Sequence, residues 1–285
     1  MKKSTAGTLL VLPAAALIVL IMILPLFYTV FCSVSNMDYM QFGGLVGLRN
    51  FQKIFADPNT FYSLFITVII TFATVVLSML GGTLLAVWAD KKSRAFAYVI
   101  EIIGLIPWVT SMVVSGLLWK WILDGDMGLL NYLLSRIGIG KLSMLSSKTP
   151  AILATILVMS WRTIGYSMVM VLGGLKGLPG GLLEAGAVDG ASERQIFWKI
   201  KVPLLKTPLL ISFVVLTMSN FNNMTIPLVL TSGGPGNATN VISLMMYKMG
   251  FNYYQFGPAC ALAIVVFALN ILLVAVYIKA MRYKL

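Results

Sequence analysis

Few side chains in this sequence can do chemistry at the centre of an apolar segment. The candidates are Arg162, Tyr166, Asn220 and Asn223, each placed well inside a long apolar run. Polar groups at such depth are costly and must face protein, water or a ligand. A guanidinium presents a fork of donors, amides bind hydroxyls, and aromatic rings offer flat faces for stacking. Trp161 precedes Arg162, and Tyr166 follows one turn later. Asn220 and Asn223 are three apart, which predicts a shared helix face. A sugar, with hydroxyls and a flat ring, suits this set. Other readings stand beside it. Buried Asn side chains commonly bond helices together. Arg162 has three further uses open to it: pairing with a partner subunit, snorkelling outward, or meeting an anion such as a sugar phosphate.

What is missing narrows the chemistry further. The chain has no histidine, and Glu101 is the one carboxylate inside an apolar run. An intramembrane enzyme would need paired acids, metal ligands or a Ser–Lys couple there. An ion-coupled secondary transporter, the more distant alternative, would favour intramembrane carboxylates and an inverted repeat; neither is visible. Glu101 is expected to pair with Arg94 or with another chain. The sequence also has no G-x-x-x-x-G-K-[ST] loop to cradle ATP. The chain is therefore expected to be non-catalytic and to hold no cofactor or metal.

The elements that position these residues follow from the charges. Hydrophobic residues make up 59% of the 285, and charged ones 11%, less than half the share usual in soluble domains. Mean hydropathy is +0.93. Residues 4–37, 58–89, 207–247 and 249–278 carry no charge at all. A spanning helix needs about 20 apolar residues, and six spans are predicted, near 9–31, 62–89, 96–122, 151–172, 205–230 and 258–280. None of these runs alternates with period two, so a membrane barrel is not expected. The fold class is all-α, a single six-helix membrane domain over 1–285. The first apolar run exceeds the length of a signal peptide's core, so an uncleaved first helix is expected.

The net charge of +12 has a topological explanation. With a cytoplasmic N-terminus, the inner segments hold Lys2, Lys3, Lys91, Lys92, Arg94, Lys176, Arg194, Lys199, Lys201, Lys206, Lys279, Arg282 and Lys284. The outer segments hold Arg49, Lys53, Arg136, Lys141, Lys148 and Lys248. Thirteen against six places both termini in the cytoplasm. No stripe of basic and aromatic residues marks a nucleic-acid surface, so lipid, not nucleic acid, is the expected environment. Cys32 and Cys260 are expected as unpaired small core residues. Trp119-Lys120-Trp121 reads as interfacial tryptophans around a snorkelling lysine.

One connection is too long to be a mere linker. Residues 173–206 join spans four and five on the inner side. Leu182, Leu183, Ala187 and Val188 fit one face of a short helix. Asp189-Gly190 then breaks it, since Gly tolerates the left-handed conformation of a sharp turn. Ile196, Phe197 and Ile200 give a second short apolar face, ended by Pro203. The prediction is a helix–turn–helix ledge lying along the membrane.

Glu184-Ala185-Gly186-x-x-Asp189-Gly190-Ala191, with Ile200-x-Val202-Pro203 nine residues beyond Gly190, resembles the EAA loop of binding-protein-dependent ABC importer permeases. The family pattern is E-A-A-x-x-x-G, nine residues, then I-x-L-P. Gly186 and Val202 depart from it, and Gly186 is expected to loosen the first short helix by up to about 1 kcal/mol. Val46-Gly47-Leu48-Arg49-Asn50-Phe51 with Asp57, Pro107-Trp108, Trp119-x-Trp121, Gly128-x-x-Asn131, Phe221-Asn222-Asn223 and the stretch from Thr231 to Thr239 extend the resemblance. Together they are similar to the maltose- and glycerol-phosphate-type branch.

The resemblance implies a type I ABC importer permease fold in the bacterial inner membrane, carrying a di- or oligosaccharide. A sugar phosphate or polyol phosphate is the alternative cargo. It implies a second permease of similar fold, a cytoplasmic ATPase dimer holding ATP and Mg, and an extracytoplasmic solute-binding protein. Glu184, Ala185, Gly186, Asp189, Gly190 and Ala191 take the ATPase-coupling role by position. Tyr166, Asn220 and Asn223 fall where such permeases place sugar contacts. The outer loop 231–257 is expected to face the binding protein or to pack over the cavity.

Overall fold

The computed structural model describes residues 5–282, so Lys2, Lys3 and Lys284 lie outside the described residues. Helices α1 (Thr5–Ile18) and α2 (Leu24–Ser33) run together through a π-helical turn, Val19–Ile23. A hairpin follows, β1 (Ser35–Asp38) and β2 (Gln41–Leu45), then α3 (Arg49–Ala56) and the long α4 (Pro58–Asp90). Next come α5 (Arg94–Val109), α6 (Met112–Ile122), α7 (Leu129–Arg136) and α8 (Lys148–Lys176). The predicted ledge contains α9 (Gly180–Val188), α10 (Glu193–Ile196), a π turn (Phe197–Lys201) and α11 (Val202–Leu204). The chain ends with α12 (Lys206–Phe221), α13 (Thr225–Thr231), α14 (Ile242–Tyr247), a π turn (Lys248–Asn252) and α15 (Phe256–Arg282).

Four helical stretches are long and apolar enough to cross a membrane singly: Val11–Ser33, Pro58–Asp90, Lys148–Lys176 and Phe256–Lys279. Six are reached when each of two bent pairs counts as one span. Helices α5 and α6 meet at 94°, and the helical run 193–204 meets α12 at 63°. The expected third span is thus broken, where a single rod was anticipated. Pro107 removes one rung of α5, and Thr110 and Ser111 are extended, with ψ of 142° and 136°. The expected fifth span is also interrupted, between α12 and α13. The ledge does not stop at Pro203: that residue sits inside helical backbone, and the bend falls at Leu205. Pro208, in the first turn of α12, offers no N–H to the carbonyl of Leu204, which favours a break there.

The chain divides into two compact units, Met1–Tyr62 with Met245–Leu273, and Ser63–Leu244 with Val274–Leu285. In the first, the β1–β2 hairpin turns through Tyr39 and Met40, both at positive φ (52° and 61°). The Tyr39 ring stacks on Tyr254 at 5.4 Å, an arrangement that holds the left-handed turn in place. Asn50 Nδ2 donates to Ser33 O at 2.9 Å and Ser35 O at 2.8 Å, fastening α3 to the end of α2. Asp57 Oδ1 accepts the Asn59 N–H at 2.9 Å and Pro58 follows it, a combination that starts α4 cleanly. Cys32 and Cys260 are free thiols, as expected.

The second unit is organised around α8, against which α5 and α12 pack, while α13 packs on α6. Small residues allow close approach. A Cβ on Gly165 would lie 1.8 Å from the Gly104 carbonyl oxygen, and one on Gly82 would lie 2.7 Å from the Met168 nitrogen. Small-residue contacts of this kind are how helices associate in lipid, where apolar burial supplies little drive. Ser78 and Thr163 share a buried hydrogen bond of 2.6 Å across α4 and α8. Gly128 and Asn131 close the segment after α6: Asn131 Nδ2 donates to the carbonyls of Asp124, Gly125 and Leu142, and its Oδ1 accepts the Leu142 N–H.

Candidate functional site

Arg162 is 8% exposed and lies against the break in the third span. Its Nη2 donates to Trp108 O at 2.9 Å and Thr110 O at 2.8 Å. These are carbonyls that the 94° bend frees from helical partners, and a charged donor satisfies them where water is scarce. The guanidinium carbon also lies 5.8 Å from the Trp108 ring centre. Among the described residues no carboxylate lies within ion-pair distance of Arg162, and its Nε is buried with no hydrogen-bond partner.

Tyr166 stacks on Trp108, ring centres 4.6 Å apart, and Trp119 meets Trp161 edge-on at 5.5 Å. Trp119 is half-buried against Trp161, whereas Lys120 and Trp121 are exposed. In the sequence Trp108 stands out only as part of the Pro107-Trp108 pair. Its stacking depends on a helix break that gives no side-chain signal beyond Pro107.

The two asparagines are both buried, but they do not share a helix face, because α12 ends at Phe221. Asn220 Nδ2 donates back to Leu216 O at 2.8 Å. Asn223 lies beyond the helix end, where its Oδ1 accepts the Ile226 N–H at 3.2 Å and helps start α13. Both amides therefore have local work at the break, and among the described residues neither bonds to a side chain of another helix. Removing the Arg162 fork should also be felt locally. Arg162→Met is expected to leave two carbonyls unpaired, at about 1–3 kcal/mol each, and to lower the detergent melting temperature. Arg162→Lys should recover only part of the loss, since its ammonium has a shorter reach than Nη2 and lacks the planar group set against the Trp108 ring.

The ledge has its own internal logic. Ala191 N donates to Gly186 O at 3.0 Å and Gly190 N to Ala187 O at 3.1 Å. With Gly190 at φ +78°, this is a Schellman stop for α9. One residue later the chain restarts: Ser192 and Gln195 form a capping box, each side chain bonded to the other's backbone N–H. The left-handed turn expected at Gly190 is therefore present. Gly186 also has a local reason, because a Cβ there would lie 2.8 Å from Ile200 Cδ1. Glycine admits the Ile200 side chain between the two halves of the ledge.

Ion pairs that were not anticipated hold the same region. Lys91 pairs with Glu193, and Lys201 with Asp90. Glu101 pairs with Lys176 at 3.4 Å, not with Arg94. The Lys91 hydrogen bond and charge hold the Glu193 carboxyl below the usual range. That pair is intact at neutral pH and is lost only as pH falls through the lowered value. No spacing rule links residues a hundred positions apart, so nothing in the sequence could have paired them.

Span-length helices, two bent helix pairs and an exposed helical ledge are the features of a membrane-embedded chain with a helical connection outside its spans. Residues 78–278 match the family model described as binding-protein-dependent transport system inner membrane component. The chain is 31% identical over 287 residues to the trehalose/maltose transport system permease protein MalF of Thermococcus litoralis, covering 99% of this chain and 96% of that one. It is 32% identical over 281 residues to the sulfoquinovosyl glycerol transport system permease protein SmoG of Agrobacterium fabrum, covering 98% and 91%. The fold matches a chain of a bacterial alginate ABC transporter, crystallised with an alginate pentasaccharide-bound periplasmic protein, at a TM-score of 0.84 and 18% identity. That match covers 97% of this chain and 93% of the other.

The chain belongs to the binding-protein-dependent transport system inner membrane components, the permease subunits of ABC importers. It is a multi-pass inner-membrane protein of a binding-protein-dependent ABC transport system. The family binds no cofactor and has no catalytic activity; ATP is bound by the ATPase subunit.

Proposed function

We propose that this permease carries a carbohydrate, a di- or oligosaccharide, as one half of a pathway completed by a second permease of similar fold. Both termini face the cytoplasm, where an ATPase dimer docks on Glu184, Ala185, Gly186, Asp189, Gly190 and Ala191. A solute-binding protein delivers the sugar from the other side. The observation that carries the reading is the exposed ledge, stopped and restarted by its own bonds, in a chain whose relatives are named as sugar-transport permeases. ATP-driven closure pulls the paired ledges together, and the helices respond as a two-state equilibrium biased by nucleotide.

Sugar contact is assigned to Tyr166, supported by its stack on Trp108, and to the buried amides of Asn220 and Asn223. Stacked rings bind the flat face of a pyranose, and amides bind its hydroxyls. Arg162 favours a second reading, in which the cargo is an anionic sugar such as a sugar phosphate or polyol phosphate. It is a buried cation with no carboxylate in ion-pair distance among the described residues.

Co-purification tests the assembly: the chain should bring down an ATPase and a second permease. Uptake that persists without the ATPase overturns the reading. Asn220→Leu with Asn223→Leu should cut uptake of the sugar bound by the cognate binding protein by tenfold or more, about 1.4 kcal/mol of lost binding. The complex should still assemble. Unchanged uptake would assign both residues to the helix break alone.

A further inference from the structure

The C-terminal end of α4 carries two adjacent charges of opposite sign, Asp90 and Lys91, and each meets its opposite on the ledge. Lys91 Nζ lies 2.5 Å from Glu193 Oε2, and Lys201 Nζ lies 3.2 Å from Asp90 Oδ2. Glu193 opens α10 and Lys201 closes the following π turn, so the two pairs hold one helical run at two points eight residues apart. The pairs run in opposite senses. An acid on α4 faces a base on the ledge, and a base on α4 faces an acid. A reversed alignment would set like charges together, so the pattern specifies orientation as well as contact.

Burial separates the roles of the two pairs. The Asp90 and Lys201 side chains are 26% and 24% exposed, so that pair is screened less than a surface one. The Lys91–Glu193 pair stands in solvent and adds direction more than strength. Between the ledge and α4 lies a cavity of about 880 Å³, walled in part by Val87, Leu183, Ile196 and Phe197. The clasp therefore spans an open space and is not a by-product of dense packing. At the bend, Leu205 is 1% exposed and belongs to one apolar cluster with Ala86 and Ala89 of α4. The first half of the ledge differs. Among the described residues, neither Glu184 nor Asp189 of that half enters an ion pair.

We propose that Asp90 and Lys91 are positioning residues that fix the second half of the ledge to the end of α4. Displacement of the ledge then moves α4 directly, as well as reaching α12 through the chain. The functional consequence rests on the ATPase docking proposed above; the clasp itself does not.

The test uses the whole transporter with nitroxides at Trp88→Cys and Trp198→Cys, in a Cys32→Ser, Cys260→Ser background. Double electron–electron resonance reads the α4-to-ledge distance without nucleotide and with ATP and vanadate. With native charges, one narrow distribution is expected in both states. Lys201→Asp should broaden it and raise ATP hydrolysis without binding protein several-fold. Adding Asp90→Lys should restore both. An unchanged distribution in the single reversal, or no recovery in the double, overturns the proposal. Where reversals prevent accumulation, Lys201→Gln and Asp90→Asn serve in their place: broadening supports the clasp, and an unchanged distribution overturns it. If the docking reading fails, the native chain will not hold the ATPase, whereas the nucleotide-free distances still judge the clasp.

Discussion

Gly165→Ala is expected to give the largest loss of any glycine-to-alanine change among the described residues. Its Cβ would sit 1.8 Å from the Gly104 carbonyl oxygen and 2.6 Å from the carbonyl carbon. Overpacking typically costs about 1–3 kcal/mol when side chains can yield. Here the obstacle is main chain on α5, so the helices must part, and the cost should reach or exceed the top of that range. Separating them would also strain the Arg162 bonds to Trp108 and Thr110, a few residues further along α5. The expected result is a broad or aggregated size-exclusion profile and a melting temperature lowered by many degrees. Two controls sharpen it. Gly104→Ala meets the Met168 side chain, Cε at 2.6 Å and Sδ at 3.4 Å, with main chain no nearer than Gly165 Cα at 4.0 Å, and should be milder. Gly173→Ala on α8 meets nothing within 4 Å and should be neutral or stabilising. Equal melting temperatures for the Gly165 and Gly173 variants would refute the close-contact argument.

Gly190→Val should leave the helix bundle intact and damage function instead. A Cβ at Gly190 meets no atom within 4 Å, so the penalty comes wholly from the backbone at φ +78°. A non-glycine residue there costs roughly 1–2 kcal/mol, and a β-branched one is worse placed still. The Schellman stop should open, releasing the Ala191 bond to Gly186 and turning α9 away from α10. In reconstituted transporter, the expected outcome is ATP hydrolysis that continues while uptake falls at least tenfold, about 1.4 kcal/mol in the coupling step. Gly190→Asn, which tolerates the left-handed region, should retain most coupling. Normal coupling in the valine variant would show that the turn is not needed.

The contrast between these two glycines shows what could be read in advance. Gly190 follows Asp189 and stands between two short apolar faces, so a turn between two short helices was legible from neighbouring residues alone. Gly165 lies mid-span, and its partner Gly104 belongs to another helix; only packing reveals the contact. The six apolar segments were visible because charged side chains are so rare and so grouped. Their interruptions were less visible. Pro107 marks a weakened rung, yet nothing in Thr110 or Ser111 announces two extended residues. The partners of Arg162 are backbone carbonyls, which every residue possesses and no sequence distinguishes. The Tyr39–Met40 turn was hidden for a related reason: neither residue is a turn former, and Tyr254, from the far end of the chain, holds it.

The candidate site divides in the same way. The stretch 184–191, proposed here for ATPase coupling, stood out by its resemblance to a family motif, and the structure gives it a left-handed turn at Gly190. For the mid-depth polar residues the sequence identified the positions but not their neighbours. Asn220 and Asn223 lie on either side of a helix end, and Tyr166 gains a ring, Trp108, that arrives from a bent helix.

The bonds that stop α9 and start α10 close within six residues of chain. Contacts so near in sequence form on the timescale of helix and loop closure, well before helices distant in sequence find each other. The ledge can therefore take shape on the nascent chain before α12 has been synthesised. The turn is thus set locally and early, ahead of the ion pairs that join the ledge to α4.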